Sequence, residues 1–282
     1  MGRWRIWLAY DGRAFQGWER QAGPEPTVRG SLEAALAPLA GTATPVRPAG
    51  RTDAGVHAAG QVASFELERE TTPGELVRAL NARLPEAVRV YGAQAVGADF
   101  HVQRQVREKL YVYAIWVGGV PPPFLRGRVW APGRRPDAGA MRAAATGLVG
   151  RHDFRAYQAA GRPVASTVRT LERVEVEERG PVLLVRVGGA GFLYRMVRRI
   201  VGALVAVGWG RARPEEPAEA LVTGWSAAAT APAEGLCLAE VRYALPDPPA
   251  VEEARRGQLA AWCPWAADRP PAGALTPFPG EG

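Results

Sequence analysis

The stretch Gly50-Arg51-Thr52-Asp53-Ala54-Gly55-Val56-His57-Ala58-Ala59-Gly60-Gln61-Val62 sets an Arg, an Asp and a His within seven residues, among glycines and small side chains. It runs straight into an alternating segment, residues 61–68. There Val62, Ser64, Glu66 and Glu68 lie on the opposite face from Ala63, Phe65 and Leu67. A polar loop therefore feeds a strand. Glycine admits tight and left-handed turns, so such a loop can hold a carboxylate forward on a rigid frame. An isolated Asp-Ala-Gly is more often a surface turn whose Asp caps the backbone. The density of charged groups here favours function.

Working outward, residues 3–10 read as a strand and 27–39 as a helix with Val28, Leu32, Leu36 and Leu39 on one face. After the loop strand, Thr72-Pro73-Gly74-Glu75 supplies a cap, a first-turn proline and an early acid, opening a helix to about Arg83. Residues 89–96 read as another strand. The second half repeats this order, with strands at 109–117, 169–177 and 181–187 and a turn through Arg179-Gly180. Helices at 137–149, 192–209 and 214–222 follow the same reading, and 236–243 is a closing strand. This predicts an α/β (α+β) fold of two ferredoxin-like domains with antiparallel-rich sheets side by side and a cleft between them. The expected boundaries are 1–105 for an N-terminal domain carrying the Asp loop and 106–245 for a C-terminal domain. Residues 246–282 hold eight of the 25 prolines and are expected to be a poorly ordered tail. Within it only 251–262 suits a short helix, with Trp262 and Trp265 as docking candidates.

Composition narrows the function classes. The 282 residues are 47% hydrophobic, enough to bury a core without metal or disulfide support. Lys and Arg number 35 against 28 Asp and Glu, a net charge of +7. The tail carries three arginines against five acids, so the first 245 residues hold 32 basic and 23 acidic side chains, or +9. A basic body points to a polyanionic partner, nucleic acid before membrane. Cys237 and Cys263 are too few for a disulfide framework and fit a reducing cytoplasm. The three histidines, His57, His101 and His152, have no paired ligand spacing, so no metal site is expected. The longest apolar run, 200–210, is about half of a membrane span, and no apolar stretch precedes Asp11. The expected protein is cytoplasmic, with no membrane partner and no signal peptide.

The run 50–62 resembles the active-site signature of the tRNA pseudouridine synthase A (TruA) family, and further motifs agree in order. They are Tyr10-Asp11-Gly12 with Phe15, Gly17 and Trp18; Asn81-Ala82-Arg83-Leu84-Pro85; Phe100-His101; and Lys109-Leu110-Tyr111-Val112-Tyr113. His152-Asp153-Phe154, then 191–202, then 235–243 complete the match, which covers residues 3–245. The resemblance implies isomerisation of uridine to pseudouridine at positions 38, 39 and 40 of the tRNA anticodon stem-loop, by a homodimer without a cofactor. It makes Asp53 the nucleophile, Tyr111 the residue that packs on the target base and Arg198 the partner of the Asp carboxylate. Arg51 matches the arginine that helps displace the base from the stem, and Lys109 opens the K-x-Y-x-Y strand as a substrate-binding residue. Two positions depart from the family. Glu19 stands where Gln is usual, and Val102-Gln103 where Ala-Arg is usual. The second change removes a basic residue that Arg104 or Arg107 could replace.

The residue types suit this reaction. Moving uracil from a nitrogen to a carbon linkage needs a nucleophile ionised at neutral pH, and an Asp ordinarily ionises near about 3.9. A guanidinium beside it favours that charge and offsets its desolvation. Glycoside hydrolysis generally uses two carboxylates and a water, whereas this loop supplies one. Helical periodicity puts Arg198 at the edge of an apolar stripe beside Val205, with Arg195 and Arg199 on the opposite side, suited to solvent or phosphate. Candidate RNA contacts are Arg13, Arg20, Arg155, Arg195 and Arg199. His57 reads as structural. The alternative readings are a non-catalytic tRNA-binding protein on the same scaffold and a synthase of the same chemistry aimed at another RNA.

Overall fold

The computed structural model describes residues 2–19, 23–161, 163–226 and 228–267. The chain forms two compact units, one made of Met1–Arg107 with Cys237–Ala261, the other of Glu108–Leu236 with Trp262–Gly282. The sequence reading sets its first boundary after residue 105 and its second after 245. The C-terminal boundary differs, because residues 237–261 return to the first unit.

In chain order the first unit holds β1 (Gly2–Tyr10), α1 (Val28–Ala40), β2 (Arg47–Pro48), β3 (His57–Leu67), α2 (Pro73–Asn81) and β4 (Val88–Val96). The chain continues through β5 (Val106–Trp116), α3 (Ala138–Thr146), β6 (Gly150–Asp153), β7 (Val168–Arg179), β8 (Val182–Gly189), α4 (Met196–Gly208) and α5 (Glu216–Thr223). It ends with β9 (Leu236–Tyr243) and α6 (Pro249–Trp262). The α+β class is as read from the sequence.

Local chemistry explains the helix starts. Thr72 and Glu75 form a reciprocal capping box ahead of Pro73, and Thr27 accepts from the N–H of Gly30 at 3.2 Å. Asp137 accepts from Gly139 and Ala140 at 2.7 and 3.1 Å. One start differs from expectation. The apolar pattern suggests a helix from 192, but Arg195 is left-handed (φ 58°) and α4 begins at Met196. Phe192 serves elsewhere, with its ring edge-on to Tyr111 at 5.1 Å.

The sheet of the first unit runs β4-β1-β3-β9, with β2 also on β3. β1 is antiparallel to β3 (Trp4↔Phe65) and to β4 (Trp4↔Ala95). β9 joins β3 in parallel at His57↔Cys237 and Ala58↔Leu238. From Trp4 to Tyr10 β1 is buried without alternation, which marks a strand covered on both faces. α6 covers one of them: side chains added at Gly92 or Gly60 would meet Val251 Cγ2 at 2.7 Å or Arg255 Cδ at 2.8 Å.

The tail is therefore a correction. Residues 246–267 are folded rather than poorly ordered, and an ionic network holds them. Arg255 spans Asp247 and Glu240, each at 2.6 Å. Arg5, wholly buried on β1, stacks on Trp7 at 4.4 Å, donates two hydrogen bonds to Gln94 Oε1 and has Asp247 at 3.8 Å. Proline content concealed this, because the docking is carried by charge as much as by apolar area.

The second unit pairs β5-β8-β7-β6, antiparallel throughout, with Tyr111↔Val187 and Val174↔Val187 in register. Helix α3 packs on α4 and on β7 around Met141, Ile200 and Leu204. Trp265 is buried edge-on to Trp116 at 5.8 Å, and Arg186 donates to the carbonyl of Ala266 at 2.9 Å. Among the described residues no helix is long and apolar enough to cross a membrane.

Replacing Asp247 with Ala would remove the carboxylate beside buried Arg5 and leave Arg255 with Glu240 alone. Breaking a buried pair typically costs about 3–5 kcal/mol. Urea unfolding of Asp247→Ala should show a loss of that order.

Candidate active site

Asp53 lies in the loop between β2 and β3 and is half-buried. Its backbone carbonyl accepts from the N–H of Val56 at 3.1 Å, closing a turn whose third residue, Gly55, has φ 79°. A side chain at that position would be strained, which accounts for the Asp-Ala-Gly order.

The preceding residue is clamped twice. Trp18 N–H donates to the Thr52 carbonyl at 3.1 Å, and the Thr52 and Tyr10 hydroxyls share a hydrogen bond of 2.8 Å. Gln61, fully buried, donates to the Gly50 carbonyl at 2.8 Å and to the Tyr10 hydroxyl at 3.3 Å. Tyr10 packs between Phe15 and Trp18, at 6.5 and 6.4 Å. Burial pushes its phenol far above the usual range, outweighing the hydrogen bonds from Thr52 and Gln61. It stays a neutral brace. The opening motif thus has a mechanical purpose. Gly17, at φ 89°, brings residues 17 and 18 so close that a Cβ would sit 2.7 Å from the Thr52 carbonyl oxygen.

His57 is buried, and its Nδ1 accepts from the N–H of Gly12 at 3.2 Å, with Asp11 Oδ1 at 3.4 Å. This agrees with a structural role. Partial burial tends to raise the Asp11 carboxyl. The hydrogen bonds of Arg13, with His57 adding, reverse that and hold it down at about 2. Arg51 is 53% exposed, and its Nε lies 2.9 Å from Glu19 Oε1. The other oxygen of Glu19 meets Arg29 Nη1 at 3.0 Å, and Arg29 Nε meets Glu33 Oε1 at 2.7 Å.

The second unit places Lys109 and Tyr111 on β5, opposite Gly189 and Val187. Tyr111 is buried, with Phe192 against it. Desolvation, with the charge of Arg169 adding, pulls the Lys109 ammonium down to about 8. Tyr113 on the same strand donates its hydroxyl to the carbonyl of Pro232 at 2.8 Å, which gives it a packing role. Arg198 is half-buried on α4. Its Nε donates to the Ala231 carbonyl at 2.8 Å, and its own carbonyl accepts from the N–H of Ala231 at 3.1 Å.

Of the other arginines, Arg195 is exposed and lies 4.9 Å from the Tyr194 ring, and Arg155 is exposed beside Asp153. Arg13 is paired with Asp11. Arg199 departs from its expected outward placement. It is half-buried and bonded to the carbonyls of Ala156 and Ser226 at 3.1 and 3.3 Å. Arg20 lies outside the described residues. Val102 is buried, and its carbonyl accepts from the Tyr243 hydroxyl at 2.6 Å. Sequence reading missed the Glu19 bridge and the Asp11–Arg13 pair. The i, i+4 spacing of Arg29 and Glu33 was the one signal of charge pairing there. Among the described residues, no three His, Cys, Asp or Glu side chains are grouped to hold a metal ion.

This is a rigid single-carboxylate loop on an antiparallel-rich α+β scaffold. The model of the family described as tRNA pseudouridine synthase matches residues 6–103 and 144–244. A relative from Ralstonia nicotianae named "tRNA pseudouridine synthase A" is 42% identical over 91% of this chain and 97% of its own length. One of the same name from Solidesulfovibrio magneticus is 46% identical over 87% and 93%. A third, from Shouchella clausii, is 42% identical over 87% and 95%. The chain belongs to the tRNA pseudouridine synthase family. It is accordingly an isomerase that converts uridine to pseudouridine.

A Gly17→Ala variant should lose at least about tenfold in kcat while binding tRNA nearly normally, since a shift of about 1 Å at a reacting group costs up to 10²-fold. Single-turnover kinetics with filter binding would separate the two.

Proposed function

We propose that this protein modifies uridines 38, 39 and 40 of the tRNA anticodon stem-loop, with Asp53 as nucleophile and no cofactor. The observation that carries the assignment is the doubly clamped turn, which holds one carboxylate on rigid backbone two residues from an exposed arginine. In the reaction the N1–C1′ bond breaks, a C5–C1′ bond forms, C5 loses a proton and N1 gains one. Asp53 supplies the nucleophile, and the route it takes, through the sugar or the ring, leaves this balance unchanged.

Arg198 is assigned as partner of the Asp53 carboxylate and Tyr111 as the aromatic surface for the base, with its hydroxyl available for proton transfer. A stem uridine must first be unstacked and unpaired, at about a few kcal/mol. Arg51 assists that extraction. Structured RNA is read mostly through backbone and shape, which suits the basic body. Lys109 contributes a charge to substrate binding, and exposed Arg195 and Arg155 are the phosphate contacts best placed by their accessibility. The working form is a homodimer in the cytoplasm.

Asp53→Asn should abolish tritium release from C5-labelled uridine in tRNA and leave binding within about threefold. Undiminished turnover would refute the nucleophile. Binding of this tRNA by the wild-type chain without any release would favour a synthase of the same chemistry aimed at another RNA.

The lowered ammonium of Lys109 gives a pH test. Its charge is present below about 8 and lost above. Because kcat/KM reports the free enzyme, it should fall as pH rises through about 8. Lys109→Arg should flatten that limb.

A further inference from the structure

We propose that Glu19 is a positioning residue that aims the Arg51 guanidinium for base extraction. This rests on the reading of Arg51 as a substrate-binding side chain. Glu19 follows Trp18, which is fully buried and donates its N–H to the loop carbonyl of Thr52. The carboxylate therefore sits on the same backbone segment that braces the Asp53 turn. Both its oxygens are engaged, Oε1 with Arg51 Nε at 2.9 Å and Oε2 with Arg29 Nη1 at 3.0 Å.

Arg29 is itself anchored. Its N–H donates to the Trp18 carbonyl at 3.1 Å, and its Nε meets Glu33, which accepts from the N–H of Val46 at 3.1 Å. Fixed backbone thus leads through alternating charges to an arginine two residues ahead of Asp53. An ion pair this exposed contributes little to stability. What it does supply is direction. A long side chain that would otherwise sample many rotamers is tethered through Nε, and its fork points from a defined root. The four charges also sum to zero, so the loop does not act merely as a patch of positive potential.

The test uses the full chain and two tRNA substrates, one with the target uridine paired in the stem and one with a mismatch that leaves it unpaired. Glu19→Ala should lower kcat about tenfold on the paired substrate, with KM unchanged or lower, and less than twofold on the mismatched one. Glu19→Gln, which keeps an acceptor for Arg51, should recover most of kcat. In an Arg51→Ala background, Glu19→Ala should add no further loss. Equal losses on both substrates, losses additive with Arg51→Ala, or an unchanged kcat would overturn the proposal. Arg51→Ala run in parallel on the same substrates separates the two ideas. If it loses kcat on the paired substrate while Glu19→Ala behaves as wild type, the positioning role fails and the reading of Arg51 stands. If Arg51→Ala behaves as wild type on both substrates, the underlying reading fails.

Discussion

Thr52 is held at its carbonyl by Trp18 and at its hydroxyl by Tyr10, and the position of the adjacent Asp53 depends on those two bonds. Each partner is itself immobilised. Trp18 is wholly buried, and Tyr10 lies within an aromatic group and accepts from Gln61. In the proposed role of nucleophile, a carboxylate held in this way would meet its substrate with little reorganisation left for the moment of reaction. The glycines at 17 and 55 are consequences of that demand, one permitting close approach and the other a backbone angle that other residues adopt only under strain.

Electrostatics divides the loop into groups with separate tasks. Asp11 and Arg13 form a tight ion pair against the start of β3, with the buried His57 ring beside it. Glu19, Arg29, Arg51 and Glu33 form a second, along α1. Asp53 lies between Arg51 and His57 in sequence; its carbonyl accepts from Val56 N–H, and that of the neighbouring Thr52 from Trp18 N–H. The basic surplus of the chain does not by itself identify function. Several of its arginines, Arg5, Arg199 and Arg255 among them, are occupied with internal carbonyls, amides and carboxylates.

Much of this was legible in the sequence, for physical reasons. Strands 2–10 and 57–67 carry short-range alternation or aromatic runs, and the helices at 73 and 138 carry their own caps. Those signals are local. The later start of α4 was hidden because the apolar period extends back to Phe192, while the left-handed Arg195 that ends it leaves no compositional trace. The tail helix and its docking tryptophans were legible in outline but not the ionic network behind it, which depends on Glu240 of β9 and on Arg5 far away in the chain. At the site, Asp53 and Arg51 stood out through motif and charge density. Glu19 was visible only as a departure, since its partner across the loop is set by three-dimensional packing.

The return of residues 237–261 to the first unit bears on how the enzyme is made. Strand β3, which follows directly from the Asp53 loop, receives its parallel neighbour β9 only after all of residues 108–236 have been synthesised. Helix α6 arrives later still. Such non-local pairing is slow to form and cannot be completed while the chain is short. A ribosome-bound fragment ending near residue 107 would hold the entire Asp53 signature and yet lack one edge of the sheet behind it. The sheet behind the Asp53 loop is thereby completed only once β9 has left the ribosome.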